Sequence, residues 1–266
     1  MMGLNFCANV SLLWSELPLG ERLRRAAEAG FEAVEMWWPG LEEARRLPEL
    51  TRSAGVRLVA LNFDAGDMSA GDRGLLSDPE QVPRFYDNVP RALEIAAACD
   101  CGQLNALLGL RDERHGREEQ LQRARESVAW AAEQAAPQGA TVLVEAVNVF
   151  DNGPYLVTTT ADAAMFVQAI AAPNVRLLYD VFHMQRMEGN IVATLDRYWD
   201  LIGHIQVADS PDRGEPGTGE INYPFVLEFL ARRGYGGYIG LEYRPTTERP
   251  EQSLGWMQDL STGVHA

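Results

Sequence analysis

Eight short apolar runs alternate with amphipathic stretches along this chain, and that alternation constrains the fold more than any other feature. The runs start near Leu4, Phe31, Val56, Gly102, Thr141, Val175, Ile202 and Gly237. Each has the length and composition of a buried strand. Between them, residues 19–29, 41–54, 79–98, 117–136, 160–171, 191–200, 224–233 and 248–259 carry helical spacing and are rich in Ala, Leu, Glu and Arg. Glycine or proline often marks the return to a strand, as at Gly30, Gly55, Gly139 and Pro173. Eight strand-helix units in 266 residues predict an α/β fold, a (β/α)8 TIM barrel. An open doubly wound sheet is the alternative. No linker, charge block or low-complexity segment divides the chain, so a single domain over 1–266 is expected, with a short tail at about 258–266.

In such a barrel, chemistry sits at the C-terminal ends of the strands. Four of the later runs end there in one oxygen-bearing side chain: Glu145, Asp180, Gln206 and Glu242. A charged or amide group at the tip of a buried strand is costly unless something pairs with it. Together the four make a hard, all-oxygen ligand set that suits a divalent ion, Mg²⁺ or Mn²⁺. Glu145 and Glu242, facing each other across such an ion, also form a proton-transfer pair beside a carbonyl. Asn62 after the third run and Glu35 late in the second share this face and are expected to line the pocket. His204, two residues before Gln206, has the same facing and is expected to pack below it.

His183 follows Asp180 by three residues, and a turn there places it to donate to a substrate oxygen. The loop 208–220 is rich in glycine and proline and carries Arg213, which is expected to grip a substrate carboxylate, with Glu215 orienting Arg213 or the pocket. Trp37 and Trp38 end the second run, Trp14 follows the first and Phe63 follows the third. These aromatics form either a wall over a small substrate or ordinary packing.

Composition removes several classes. All 23 basic residues are arginine, so no Schiff-base lysine, Walker A loop or lysine base exists. The net charge of −15 argues against nucleic acid and anionic membranes as partners, while a locally positive pocket still admits a small anion. No run reaches the roughly 18 apolar residues of a membrane helix, and the N-terminal segment lacks a signal-peptide pattern, so a cytoplasmic location is expected. The three cysteines, Cys7, Cys99 and Cys101, fit no metal motif and are expected to be reduced thiols.

The chain resembles the hydroxypyruvate isomerase family of the xylose-isomerase-like TIM barrels. The resemblance is carried by Ala8-Asn9-Val10-Ser11, Gly66-Asp67 with Ala70-Gly71, the segment 179–189 (YDVFHMQRMEG), the loop 213–223 (RGEPGTGEINY) and Gly240-Leu241-Glu242-Tyr243. It implies interconversion of hydroxypyruvate and tartronate semialdehyde through an enediolate, with a divalent metal at the positions of Glu145, Asp180, Gln206 and Glu242. It also implies an acid/base role for Glu145 and Glu242 and substrate contacts from His183 and Arg213. In related ketose 3-epimerases the third ligand is usually histidine, where this chain has Gln206. Arg244 departs from the lysine expected after Tyr243. The resemblance also admits a 2-oxo-tetronate isomerase or a ketose 3-epimerase. The expected partner is a small anionic 2-oxo acid, and a homo-oligomer is compatible with it.

Overall fold

A closed ring of eight parallel strands forms the centre of the computed structural model, which describes residues 3–257. The strands are β1 (Asn5–Asn9), β2 (Ala33–Met36), β3 (Arg57–Asn62), β4 (Gln103–Asn105), β5 (Thr141–Glu145), β6 (Val175–Asp180), β7 (Ile202–Val207) and β8 (Tyr238–Leu241). Each pairs with its neighbours in sequence, and β8 closes on β1. The closed barrel replaces the open-sheet alternative and bears out the (β/α)8 expectation. The expected tail at 258–266, with His265, lies outside the described residues.

The outer layer follows the amphipathic stretches. Its helices are α1 (Leu19–Glu28), α2 (Leu41–Ala44), α3 (Leu47–Ala54), α4 (Val82–Ala98), α5 (Arg117–Ala135), α6 (Val149–Asn152), α7 (Thr160–Ile170), α8 (Val181–Met187), α9 (Ile191–Arg197) and α10 (Tyr223–Arg232). Helix α1 buries Leu19, Leu23 and Ala26, at the spacing of one helical face.

Three stretches differ from expectation. The helix predicted over 41–54 is two helices, because Pro48 offers no N–H to a helical turn and its ring excludes the carbonyl four residues back. Proline fits readily in a first helical turn, so α3 restarts with Pro48 there. The stretch 248–259 holds a 3₁₀ turn at Pro250–Leu254 and then runs out of the described residues. After Asp180 the chain enters α8 directly instead of a turn. No helix among the described residues is long and apolar enough to cross a membrane.

Candidate active site

The last four strands bring their terminal oxygens onto one arc of the barrel mouth. Asp180 and Gln206 are register partners on β6 and β7. Glu145 ends β5 on one side of them, and Glu242 follows β8 on the other. All four side chains are buried. Glu145, Glu242, His183, Arg213, Asn62 and Trp37 line one cavity of about 630 Å³.

Each side chain has a partner that fixes it. Glu145 accepts from Asn105 Nδ2 through Oε2 at 2.9 Å. Asp180 caps α8, its Oδ1 accepting from Phe182 N at 2.8 Å, so the helix dipole holds the carboxylate in place. Glu242 Oε1 accepts from Arg213 Nη2 at 2.7 Å and from Trp37 Nε1 at 3.3 Å. Arg213 Nη2 also reaches Asp180 Oδ2 at 3.3 Å, and the guanidinium lies 5.2 Å from the Phe182 ring centroid. Arg213 therefore stands between two of the strand-end carboxylates.

Gln206 gives the sharpest indication of a missing partner. Its Nε2 donates to Glu35 Oε1 at 2.6 Å, while its Oε1 is buried with no hydrogen-bond partner among the described residues. Glu35 lies beneath it and also accepts from His204 Nε2 at 2.5 Å and Asn9 Nδ2 at 2.9 Å. Burial raises the Glu35 pKa, but the His204 charge and these donors outweigh it and leave the carboxyl below its usual range. An ionised carboxylate only accepts, so the amide must turn Nε2 down and Oε1 toward the other three oxygens. The same carboxylate explains Gly240: a Cβ there would stand 2.3 Å from Glu35 Oε2. Thus Glu35, expected to line the pocket, instead supports its floor, and His204 packs below as expected.

His183 occupies the first turn of α8, buried. Its Nδ1 lies 2.6 Å from Asn148 Nδ2. The Asn148 Oδ1 is already used, accepting from Asp151 N at 3.0 Å to cap α6, so its Nδ2 faces the histidine and donates. Nδ1 is then the acceptor and Nε2 carries the hydrogen. That N–H lies 3.6 Å from both Glu145 Oε1 and Asp180 Oδ2. Burial, then the Arg213 charge, holds the imidazole pKa well below its ordinary value, so the ring is neutral. Glu145, Asp180 and His183 are close enough to share an ion. In this tautomer, however, Nε2 is a donor, which leaves the oxygens as the groups able to ligate an ion.

Burial, and after it the Asp180 charge, pushes the Glu145 pKa up to about 8. Burial also raises Asp180 and Glu242, against the pull of Arg213. Three buried carboxylates facing one guanidinium are short of positive charge. Together with the unpartnered Gln206 oxygen, this donor set fits a hard divalent cation.

Of the other sequence candidates, Glu215 is not brought to the cavity. It accepts from Thr246 N and Oγ1 at 2.9 and 2.7 Å and fastens the loop 208–220 to the segment after β8. Among the aromatics, Trp37, Tyr155 and Phe182 line the cavity. Trp14 and Phe63 are packed away, Phe63 edge-on to Phe85. The cysteines are free thiols. Sequence reasoning missed Asn105, which obeys the same strand-end rule on β4. It also missed Asn148, whose signal was a capping residue before a four-residue helix.

A family model described as xylose isomerase-like TIM barrel matches residues 23–260. A putative hydroxypyruvate isomerase of Streptomyces coelicolor is 39% identical over 264 residues, covering 95% of each chain. The hydroxypyruvate isomerase of Escherichia coli is 35% identical over 254 residues, 96% of this chain and 98% of the relative. A 2-oxo-tetronate isomerase of Cupriavidus necator is 35% identical over 253 residues, covering 95% and 97%. A solved structure from Brucella melitensis, described as an AP endonuclease of family 2, superposes with a TM-score of 0.90 at 35% identity, covering 96% and 98%.

Proposed function

The chain belongs to the xylose isomerase-like TIM barrel family, in its hydroxypyruvate isomerase group, and on that premise we propose that it interconverts hydroxypyruvate and tartronate semialdehyde. The observation that carries this reading is the arc of Glu145, Asp180, Gln206 and Glu242 with a neutral, donating His183 beside it.

Glu145, Asp180, Gln206 and Glu242 would hold a divalent cation, Mg²⁺ or Mn²⁺, and its chemistry would be to polarise a substrate carbonyl and offset the charge of an enediolate. The chain's own groups do the rest. One glutamate of the Glu145/Glu242 pair takes the proton from C3 of hydroxypyruvate, and the C3 electron pair becomes the C2–C3 double bond of the enediolate. The other returns a proton to C2, leaving the aldehyde at C3. His183 Nε2–H serves the oxygens: it donates to the C2 oxygen as charge grows there, and the C3 hydroxyl proton restores it. Arg213 contacts substrate oxygen beside Glu242, and Trp37 closes that side against water. Asn62 borders the substrate from β3.

A four-carbon 2-oxo-tetronate is the second reading, favoured by the Cupriavidus necator relative at 35% identity. An endonuclease reading has little support, because phosphate binding needs a basic face and this chain carries −15. Side-by-side kcat/KM on hydroxypyruvate and 2-oxo-tetronate decides between the first two. We expect hydroxypyruvate to be preferred by at least about tenfold, a difference near 1.4 kcal/mol in transition-state binding. A preference of that size for the four-carbon acid would overturn the assignment.

A further inference from the structure

The Proposed function requires a place for the substrate carboxylate, and we propose that Arg73 supplies it. Arg73 lies on the loop that follows β3 and lines the same cavity as Glu145 and Glu242. From that loop it reaches Asn152 in α6, the helix that follows β5, and so borders the arc of strand-end oxygens at the barrel mouth.

Two of the three guanidinium nitrogens are already held. Nε donates to Asn152 Oδ1 at 2.7 Å, and Nη1 donates to Asp72 O and Met68 O at 2.7 and 3.0 Å. Each acceptor is a neutral oxygen. Among the described residues no carboxylate pairs with Arg73, although the chain carries 38 acidic side chains. Nη2 is left as an oriented donor with no hydrogen-bond partner among the described residues. The anchor is itself fixed, because Asn152 Nδ2 donates to Asn148 O at 3.2 Å, in the segment that sets the His183 tautomer. Gly74, next in sequence, has φ +121° and sits so close to Leu107 that a Cβ would stand 2.2 Å from its carbonyl oxygen. Its N donates to Ala65 O at 2.9 Å. The loop therefore presents Arg73 from a rigid base.

Arg213, the arginine that sequence reasoning favours for this task, is occupied by Glu242 and Asp180. A substrate carboxylate at Arg213 would add a further negative charge to that cluster. With C2 and C3 set between the two glutamates, the carboxylate carbon must point away from them, and Arg73 meets it there. An uncharged ketose would leave Arg73 desolvated and unpaired, so the same residue selects for 2-oxo acids.

The test compares wild type with R73Q, R73K and R244Q, all with saturating Mn²⁺. Arg244 also lines the cavity, but no side-chain hydrogen bond among the described residues fixes it. Calorimetry measures binding of glycerate, which keeps the three-carbon skeleton and carboxylate but cannot isomerise, with glycerol as the uncharged control. Steady-state kinetics measures KM and kcat for hydroxypyruvate. A charge-assisted hydrogen bond of this kind corresponds to roughly 10- to 100-fold in affinity. R73Q is expected to weaken glycerate and raise KM by that factor with kcat changed less than about threefold, and R73K to recover part of the loss. Glycerate binding and KM within about twofold of wild type in R73Q would overturn the clamp, as would a loss confined to R244Q. A wild type that binds glycerate through Arg73 but does not turn over hydroxypyruvate would sink the Proposed function and leave the clamp standing.

Discussion

Gln206 has one amide and two calls on it: Glu35 below and the three carboxylates beside it. The Glu35 carboxylate settles the orientation by accepting from Nε2, which leaves Oε1 to face the proposed cation. Glu35→Gln removes that constraint while keeping shape, since the new amide can donate as well as accept. Partners behind a ligand of this kind are worth roughly 10- to 100-fold in metal affinity. Calorimetric titration with Mn²⁺ is expected to show a loss in that range for E35Q, with an unchanged circular dichroism spectrum. An affinity equal to wild type would mean that Glu35 does not set the amide. The four strand-end oxygens were legible in the sequence, because a polar residue closing an apolar run is a local signal. The role of Glu35 was not. Its partner His204 lies 169 positions away, and only barrel closure brings them together. The partners of Arg213 were hidden for the same reason.

At the scale of elements, the loop 208–220 carries Arg213 at φ +59°, a conformation an isolated arginine avoids. Asp209 supports it from within. Its Oδ1 accepts from Ser210 N and Ile221 N at 2.9 and 3.0 Å, and its Oδ2 accepts from Gly217 N at 2.8 Å. Gly219 completes the fold of the loop, as a Cβ there would lie 2.0 Å from Ser210 O. Asp209→Ala leaves buried N–H groups without acceptors, at a cost of about 2–3 kcal/mol. Chemical denaturation is expected to show that loss, and kcat/KM for hydroxypyruvate to fall by at least about tenfold as Arg213 drifts from Glu242. Stability and activity both at wild-type level would show that the loop holds its shape by other means. The eight repeats were readable because strand and helix periods differ. The split at Pro48 and the four-residue α6 were not read, since one helical turn has too few residues to show a period.

Across the barrel, a chain of net charge −15 gathers three carboxylates at its centre, so folding and proton uptake are linked, and the proposed metal binding with them. The Glu145 pKa rises from its ordinary 4.5 to about 8 on folding, by burial first and the Asp180 charge second. A carboxyl raised in this way contributes stability that is fully present below about pH 4.5 and is lost as pH rises through about 8. A divalent ion binds the ionised form, so it competes with that proton. The Tm gain from saturating Mn²⁺ is expected to be larger at pH 8 than at pH 6, with protons released on binding, and Glu145→Gln is expected to flatten the trend. A gain independent of pH would contradict the linkage. Incubation of hydroxypyruvate in D₂O with Mn²⁺, followed by proton NMR, reads whether Glu145 and Glu242 move a carbon-bound proton of a 2-oxo acid, as proposed. Wild type is predicted to form tartronate semialdehyde with deuterium entering the carbon-bound positions, and Glu145→Gln to lose at least about a hundredfold in rate while keeping its fold. No enzyme-dependent exchange and no tartronate semialdehyde from wild type would contradict it.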